Sequence, residues 1–300
     1  MHIVMTGGTG LVGQALRRFW QSHQITIVSR RAAWHQAQPE KPSHVTYVND
    51  VNAIDFMTVD AVVNLAGEPI AEKRWSASQK RLICQSRWVI TEQLAQKLKQ
   101  PHRVHTLLNA SAIGYYGRQP SDPIDESHRA CFPEFSHELC RRWEELAAGI
   151  ASEQTRVAIV RIGIVLSDRG GALRKMLPAF KCGLGGRLGN GEQMMSWIHI
   201  DDLVRMFDWL LNTPSLSGIF NGTAPKAVSN REWTRQLAQT LHRPAFCHVP
   251  AAVLKLLLGE MSDLLLYGQH VRPARALEHG FTFQYADLSS ALHQLYPPRI

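Results

Sequence analysis

The stretch Thr6-Gly7-Gly8-Thr9-Gly10-Leu11-Val12-Gly13 has the residue types and spacing that most directly dictate a chemistry. It follows a short apolar run, His2 to Met5, and opens a helical pattern, Leu11 to Gln21. Glycines at such a junction let the backbone turn tightly, approach a pyrophosphate and pack helix against strand. The helix start then offers unpaired N–H groups and the positive end of its dipole to phosphate oxygens. The spacing reads as GxGxxG through Gly8, Gly10 and Gly13, and as GxxGxxG through Gly7, Gly10 and Gly13. In this strand–turn–helix context a dinucleotide is the expected ligand. At the end of the next apolar run, Ile25 to Ser29, a NAD-selective site carries an acidic residue for the ribose hydroxyl. This chain has Ser29-Arg30-Arg31 there. A guanidinium grips a 2′-phosphate in a bidentate fork, so NADP is the expected cofactor, with one of the two arginines as its contact. Other chemistries lack their residues. No GxSxG elbow is present, no Walker lysine follows the glycines, and His102/His105 and His242/His248 lack a matching carboxylate set, so no metal is expected.

The elements that would position this turn alternate in type. Apolar runs at 2–5, 25–29, 45–48, 61–65, 106–110 and 157–160 are interleaved with helical patterns at 11–21, 80–99 and 137–151. That rhythm predicts an α/β fold, a Rossmann doubly wound parallel sheet. After Leu166 the character changes. Arg169-Gly170-Gly171 and Lys181 to Gly191, with five glycines, flank a short helix at 172–180. Segments 198–211 and 218–223 return to the sheet, and from about Pro225 the chain is mostly helical. The expected organisation is a Rossmann domain over 1–166, with 197–223 returning to its sheet. A smaller, mainly helical C-terminal lobe on the substrate side would comprise 167–196 and 224–300.

Three hundred residues suffice to bury a large core without disulfides or structural metal. The five cysteines form no CxxC pair, and the opening residues lack the n- and h-regions of a signal peptide. The longest apolar run, Ala251 to Leu258, is too short to cross a bilayer. A cytoplasmic protein with no membrane contact is expected. The net charge of +8 is spread along the chain in short pairs such as Arg17-Arg18, which predicts a solvated basic surface and no nucleic-acid partner. Some of those cations are candidates for phosphates of a nucleotide or substrate.

The glycine turn, Asn64-Leu65-Ala66-Gly67 and Trp197-Ile198-His199-Ile200-Asp201-Asp202-Leu203 resemble the extended, epimerase-like branch of the short-chain dehydrogenase/reductase superfamily. Further motifs, among them Leu65 to Ile70, Lys73-Arg74-Trp75, Ser111 to Gly117, Arg161 to Leu166 and Gly183 to Gly186, are similar to an atypical subgroup. Its members are described as NADP-dependent nucleoside-diphosphate-sugar epimerases with a small C-terminal domain of unknown role, here about 249–292. The resemblance implies cofactor contacts from Gly7, Gly10, Leu11, Val12 and Gly13, and from Ser29 and Arg30 at the adenosine end. It adds Leu65 and Ala66 beside ribose and pyrophosphate, Arg87 on the following helix, and Val165 near the nicotinamide.

The superfamily's chemistry rests on a tyrosine four residues before a lysine, with a serine holding the substrate oxygen. Ser111 fits that serine by position. The helix Phe135 to Glu144 carries Ser136 and Cys140 where the pair should stand, so the signature is absent. Tyr115 and Tyr116 are the alternative phenols, completing with Ser111 the expected catalytic set. His137, Lys73 and Arg74 are further candidates, while His199 is expected to fix the loop before its helix. Two readings follow. One is an NADP-dependent oxidoreductase or epimerase acting on a small polar, nucleotide-sugar-like substrate. The other is an NADP-binding sensor that does not turn over. A homodimer is the superfamily default.

Overall fold

The computed structural model describes residues 1–297; the last three residues of the expected lobe lie outside them. Seven strands form the central sheet: β1 (His2–Thr6), β2 (Gln24–Val28), β3 (Val45–Val48), β4 (Ala61–Asn64), β5 (Thr106–Ala112), β6 (Arg156–Ile162) and β7 (Gly218–Gly222). Their order is β7-β6-β5-β4-β1-β2-β3, and every pairing is parallel. Because strand order reverses between β1 and β4, the connections leave in opposite directions there and open a crevice at the strand ends.

Both sheet faces are covered, which explains why the strands read as nearly unbroken apolar runs. Alternate residues take opposite sides. Ile3, Met5, Ala61, Val63, Leu108, Ala158 and Val160 join one core, while Val4, Val62, Leu107, Val157 and Ile159 join the other. The first side is covered by α1 (Leu11–Phe19) and, from much later in the chain, a helix at Ile200–Asn212. The second side is covered by a 21-residue helix at Ala77–Lys97 and another at Phe135–Ala148. In chain order α2 is Ala32–Gln36, α3 Ala77–Lys97, α4 Phe135–Ala148, α5 Gly171–Lys181, α6 Ile200–Asn212, α7 Asn230–Thr240, α8 Ala251–Leu258, α9 Asp263–Leu266, α10 Ala274–Glu278 and α11 Leu288–Leu295.

The helical C-terminal part has its own core, built from Leu173 and Phe180 on α5, Trp233 and Leu237 on α7, and Leu288 and Leu292 on α11. Short parallel pairs, Ile164–Leu166 with Trp197–His199 and Gly186–Leu188 with Cys247–Val249, stitch its segments together. His199 holds the start of α6. Its Nδ1 accepts from the Asp201 amide at 3.2 Å, so Nε2 carries the proton and donates to Gln294 Oε1 at 3.0 Å. Asp202, wholly buried, accepts the amides of Gln284 and Tyr285 at 2.8 Å each and clamps the tail of the chain onto α6. Among the described residues no helix is long and apolar enough to cross a membrane.

Candidate functional site

The glycine turn lies at the C-terminal end of β1, on one side of the crevice. Gly7 adopts φ +66°, and a Cβ there would sit 2.5 Å from the Leu65 carbonyl oxygen. A Cβ on Gly13 would sit 2.5 Å from the Gly8 Cα, so α1 lies directly against the turn. Gly10 caps α1 without a side chain, and the first turn of the helix contains no acidic residue. The leading amides of α1 are therefore left with the positive dipole end uncompensated, as anion binding requires. Only a glycine-lined backbone leaves room for a phosphate to come this close.

The opposite wall is fixed by a buried polar chain. Thr6 Oγ1 donates to Asn64 Oδ1 at 2.6 Å, and Asn64 Nδ2 lies 2.6 Å from Asn109 Oδ1 and 2.8 Å from Thr91 Oγ1. These residues, on three neighbouring strands and on α3, hold Leu65 and Ala66 at the crevice; the Ala66 amide donates to Thr6 Oγ1 at 3.3 Å. Sequence reasoning missed this chain, because its hydrogen-bonded partners are 27 to 58 positions apart.

Arg87 reaches the same wall from α3. Its Nη1 donates to the carbonyls of Glu68 and Ile83 at 3.1 and 3.0 Å, and its Cζ lies 5.3 Å from the Trp143 ring centre. A Cβ on Gly67 would lie 2.6 Å from that Cζ, so the guanidinium packs directly on the glycine after β4. Burial pushes the Arg87 pKa down, and among the described residues no carboxylate pairs with it. A half-buried cation so placed is stabilised by an anionic ligand. Ser29 and Arg30 emerge beside the turn because β2 is the neighbour of β1, with Val28 opposite Thr6. Arg30 is exposed and likewise has no ion pair among the described residues. Val165 closes the circle, since Gly171, packed on Leu11, also meets the Val165 carbonyl.

The expected catalytic set stands differently. Ser111, Arg161 and Asn221 occupy one rung across β5, β6 and β7. Ser111 is 3% exposed and its hydroxyl donates to Glu144 Oε1 at 2.6 Å. The same carboxylate takes Arg161 in a fork, Nε at 2.9 Å and Nη2 at 2.7 Å. Arg161 has no exposed surface. Burial works against its charge, but hydrogen bonds and the charge of Glu144 outweigh it and raise the pKa. The half-buried Tyr115 ring stacks on this guanidinium, Cζ lying 3.4 Å from the ring centre.

Tyr116 requires a correction. Its side chain is fully buried, with the hydroxyl 2.9 Å from Asn221 Oδ1 and 3.1 Å from the Asp125 carbonyl, and burial pushes its pKa up to about 12. A phenol enclosed in this way cannot exchange protons with a substrate, and it serves as a structural post. Ser136 is buried and donates to Glu134, while burial pushes the Cys140 thiol up to about 11, so neither substitutes for the missing pair. His137 Nδ1 contacts the Tyr115 carbonyl and pins that loop, and Arg74 lies against the turn at Gly259. No group of three metal-binding side chains occurs among the described residues. Glu144 and Arg161 were the residues to find. An arginine inside the apolar run Val157 to Ile162 has to be matched by a buried carboxylate, and that was the available signal.

Comparison with known proteins agrees with this geometry. Residues 3–221 match the NAD dependent epimerase/dehydratase family, and residues 249–295 match a domain of unknown function, DUF1731. The chain belongs to the NAD dependent epimerase/dehydratase family. Within that family it is 38% identical over 98% of its length to the chloroplastic epimerase family protein SDR39U1 homolog of Arabidopsis thaliana, covering 86% of that protein. It is 36% identical to epimerase family protein SH2119 of Staphylococcus haemolyticus, with 98% of both chains covered. The crystal structure of human epimerase family protein SDR39U1 (isoform 2) with NADPH superposes with a TM-score of 0.91 at 31% identity, covering 100% of each chain. The nucleoside-diphosphate sugar epimerase of Corynebacterium glutamicum gives a TM-score of 0.76 at 29% identity, over 99% of this chain and 58% of that one. The family is named for its NAD dependence, and the structure of the human relative contains NADPH.

Proposed function

We propose that this chain binds NADP(H) in the crevice and serves as an oxidoreductase or epimerase on a small polar substrate of nucleotide-sugar type. The observation that carries this reading is Arg87, a half-buried cation with no ion pair among the described residues, together with the tight glycine turn at the end of β1. Arg30 extends the reading to NADP: a free guanidinium beside the turn suits a 2′-phosphate, and no acidic residue stands in its place. The NADPH named with the human relative and the sugar-epimerase name of the Corynebacterium relative support the same choice.

Bound NADP would supply hydride exchange at its nicotinamide. This chain's part is to hold the pyrophosphate with Gly7, Gly10 and the amides at Leu11, Val12 and Gly13, and the adenosine end with Ser29 and Arg30. Leu65, Ala66 and Val165 shape the walls, and Arg87 compensates negative charge. Ser111 and Tyr115 are the proposed polar groups at the reacting end. Since the Ser111 hydroxyl donates to Glu144, Ser111 would move a proton only along that bond. Residues 1–166 and 197–223 form the proposed cofactor domain, and 167–196 with 224–300 the substrate side.

One observation favours the second reading, a cofactor-binding sensor without turnover. The places of tyrosine and lysine hold Ser136 and Cys140, both buried and engaged within the protein. Calorimetric titration with NADPH and NADH tests the cofactor. Arg30→Ala should weaken NADPH by about tenfold or more and leave NADH unchanged, whereas Arg87→Ala should weaken both. Failure of the native protein to bind either would end the proposal. A panel of carbonyl, alcohol and nucleotide-sugar compounds, followed by nicotinamide absorbance, then separates the readings. Any hydride transfer removes the sensor, and silence with tight binding removes the enzyme.

A further inference from the structure

The cations that read as scattered along the chain are gathered by the fold on the outer side of the C-terminal lobe. The pairing of Gly186–Leu188 with Cys247–Val249 sets Arg187 opposite His248, and α7 packs against that pair. Arg231, Thr234, Arg235, Ala238 and Gln239 share the face of α7 that looks onto it, at helical spacing. The result is an open groove of about 880 Å³ lined by four arginines and two histidines and by no acidic residue. Two of the arginines are partly spent at the surface, Arg231 with Glu192 and Arg235 with Glu232. Arg187 and Arg243 have no ion pair among the described residues.

Two more features set the groove apart from an ordinary basic surface. Phe246 lies among these cations with 89% of its surface exposed, more than any other large apolar side chain of the described residues. His242, at the end of α7, holds φ +52°, the one positive value among the described non-glycine residues. That turn, closed by the Arg243 amide on the Ala238 carbonyl at 3.0 Å, aims His242 and Arg243 at the groove. Strain of this kind persists where the surroundings enforce it. The groove shares no residue with the crevice. Helix α5 separates them: it begins against Leu11, spans about 16 Å, and ends next to the bridge between Leu184 and Ala245.

The geometry points to a second binding site in this groove for a nucleotide phosphate, whether a free nucleotide or a segment of single-stranded nucleic acid. The arginines supply phosphate recognition and Phe246 a platform for a base, the combination that single-strand-binding grooves use. This site is independent of the dinucleotide reading of the crevice.

Two probes test it by fluorescence anisotropy with the full chain, NADPH being present to fill the crevice: a labelled oligothymidylate and a fluorescent ADP analogue. Arg187→Ala/Arg243→Ala should weaken binding by about tenfold or more and flatten its salt dependence, by about one unit of slope for each arginine lost. Phe246→Ala should weaken binding and leave the salt slope unchanged. Arg30→Ala and Arg87→Ala, in the crevice, should bind the oligothymidylate like the native chain. Unchanged thermal midpoints for the groove variants, whose side chains are exposed, show that the fold persists. Tighter binding of the oligonucleotide assigns the strand, and equal or tighter binding of the ADP analogue assigns the free nucleotide. Absence of binding by both probes at low salt overturns the proposal. So does an equal loss in a Lys97→Ala/Lys99→Ala control, which would reduce the effect to net charge.

Discussion

A guanidinium sealed inside a sheet has only its neighbours to compensate its charge, and Arg161 depends on Glu144 for that. Neutralising the carboxylate strands the cation, and the penalty is larger than the net worth of the pair because desolvation has already been suffered. Glu144→Gln should therefore lower unfolding free energy by about 3–5 kcal/mol, read from denaturant midpoints. Tyr116, on the same cluster, makes stability depend on alkaline pH. Its phenol titrates near 10 in the unfolded chain and near 12 in the fold. Above pH 10 the unfolded state has released a proton that the native state keeps, so stability falls as pH rises. The loss across that window is roughly 2–3 kcal/mol. Cys140 starts the decline earlier, from pH 9 to about 11. Midpoints measured through this range should fall more gently above pH 10 in Tyr116→Phe than in the native chain. At this scale the tight glycine turn could be read from sequence, because it depends on near neighbours in the chain. The Ser111–Glu144–Arg161 cluster could not, because it is assembled by strand register from three elements.

Helix α1 carries a glycine, Gly13, that is closely constrained by backbone. Alanine at position 13 would gain up to about 1 kcal/mol in helix propensity. It would also place a methyl 2.5 Å from the Gly8 Cα and 2.7 Å from the Gly7 carbonyl oxygen, both backbone atoms that cannot swing aside. The clash wins. Gly13→Ala should cost about 1–3 kcal/mol in stability and lower NADPH affinity, since α1 must back away from the turn that its amides serve. Thermal melts with and without NADPH measure both effects. Elements with a local pattern of their own were legible: the third strand was expected at 45–48 and is found there, and the helix expected over 172–180 runs from Gly171 to Lys181. The five-residue helix α2 and the pair Gly186–Leu188 with Cys247–Val249 were not. The first of these strands lies in a glycine-rich stretch, and its partner is some sixty residues away, so local pattern has no access to the pairing.

For the whole molecule, the lobe and the sheet share their interiors. One continuous core runs from Ile3 through Phe207 to Ala276 and Phe281, and Asp202 holds the tail by two backbone amides. Trp20 on the first helical unit donates to Asp208 on α6 at 2.7 Å. Unfolding should consequently be a single calorimetric transition whose van't Hoff and calorimetric enthalpies agree. Two separated transitions would show that the lobe melts by itself. The doubly wound class was legible because six buried strands announce themselves in order. The lobe's dependence on the sheet was hidden, since its contacts join the two ends of the chain.

The position of β7 at the sheet's edge, beside β6, has a consequence during synthesis. The ribosome finishes β6 at Ile162 but does not reach Gly218 until the intervening stretch has been made. At about 5–20 residues per second that delay is roughly 3–10 s. Throughout it, β6 presents an unpaired, largely apolar edge to the cell, the kind of template on which nascent chains stick to one another. Expression at lower temperature, or with more chaperone, should raise the soluble yield of this protein, because the exposed edge is covered late in synthesis by a strand of five residues.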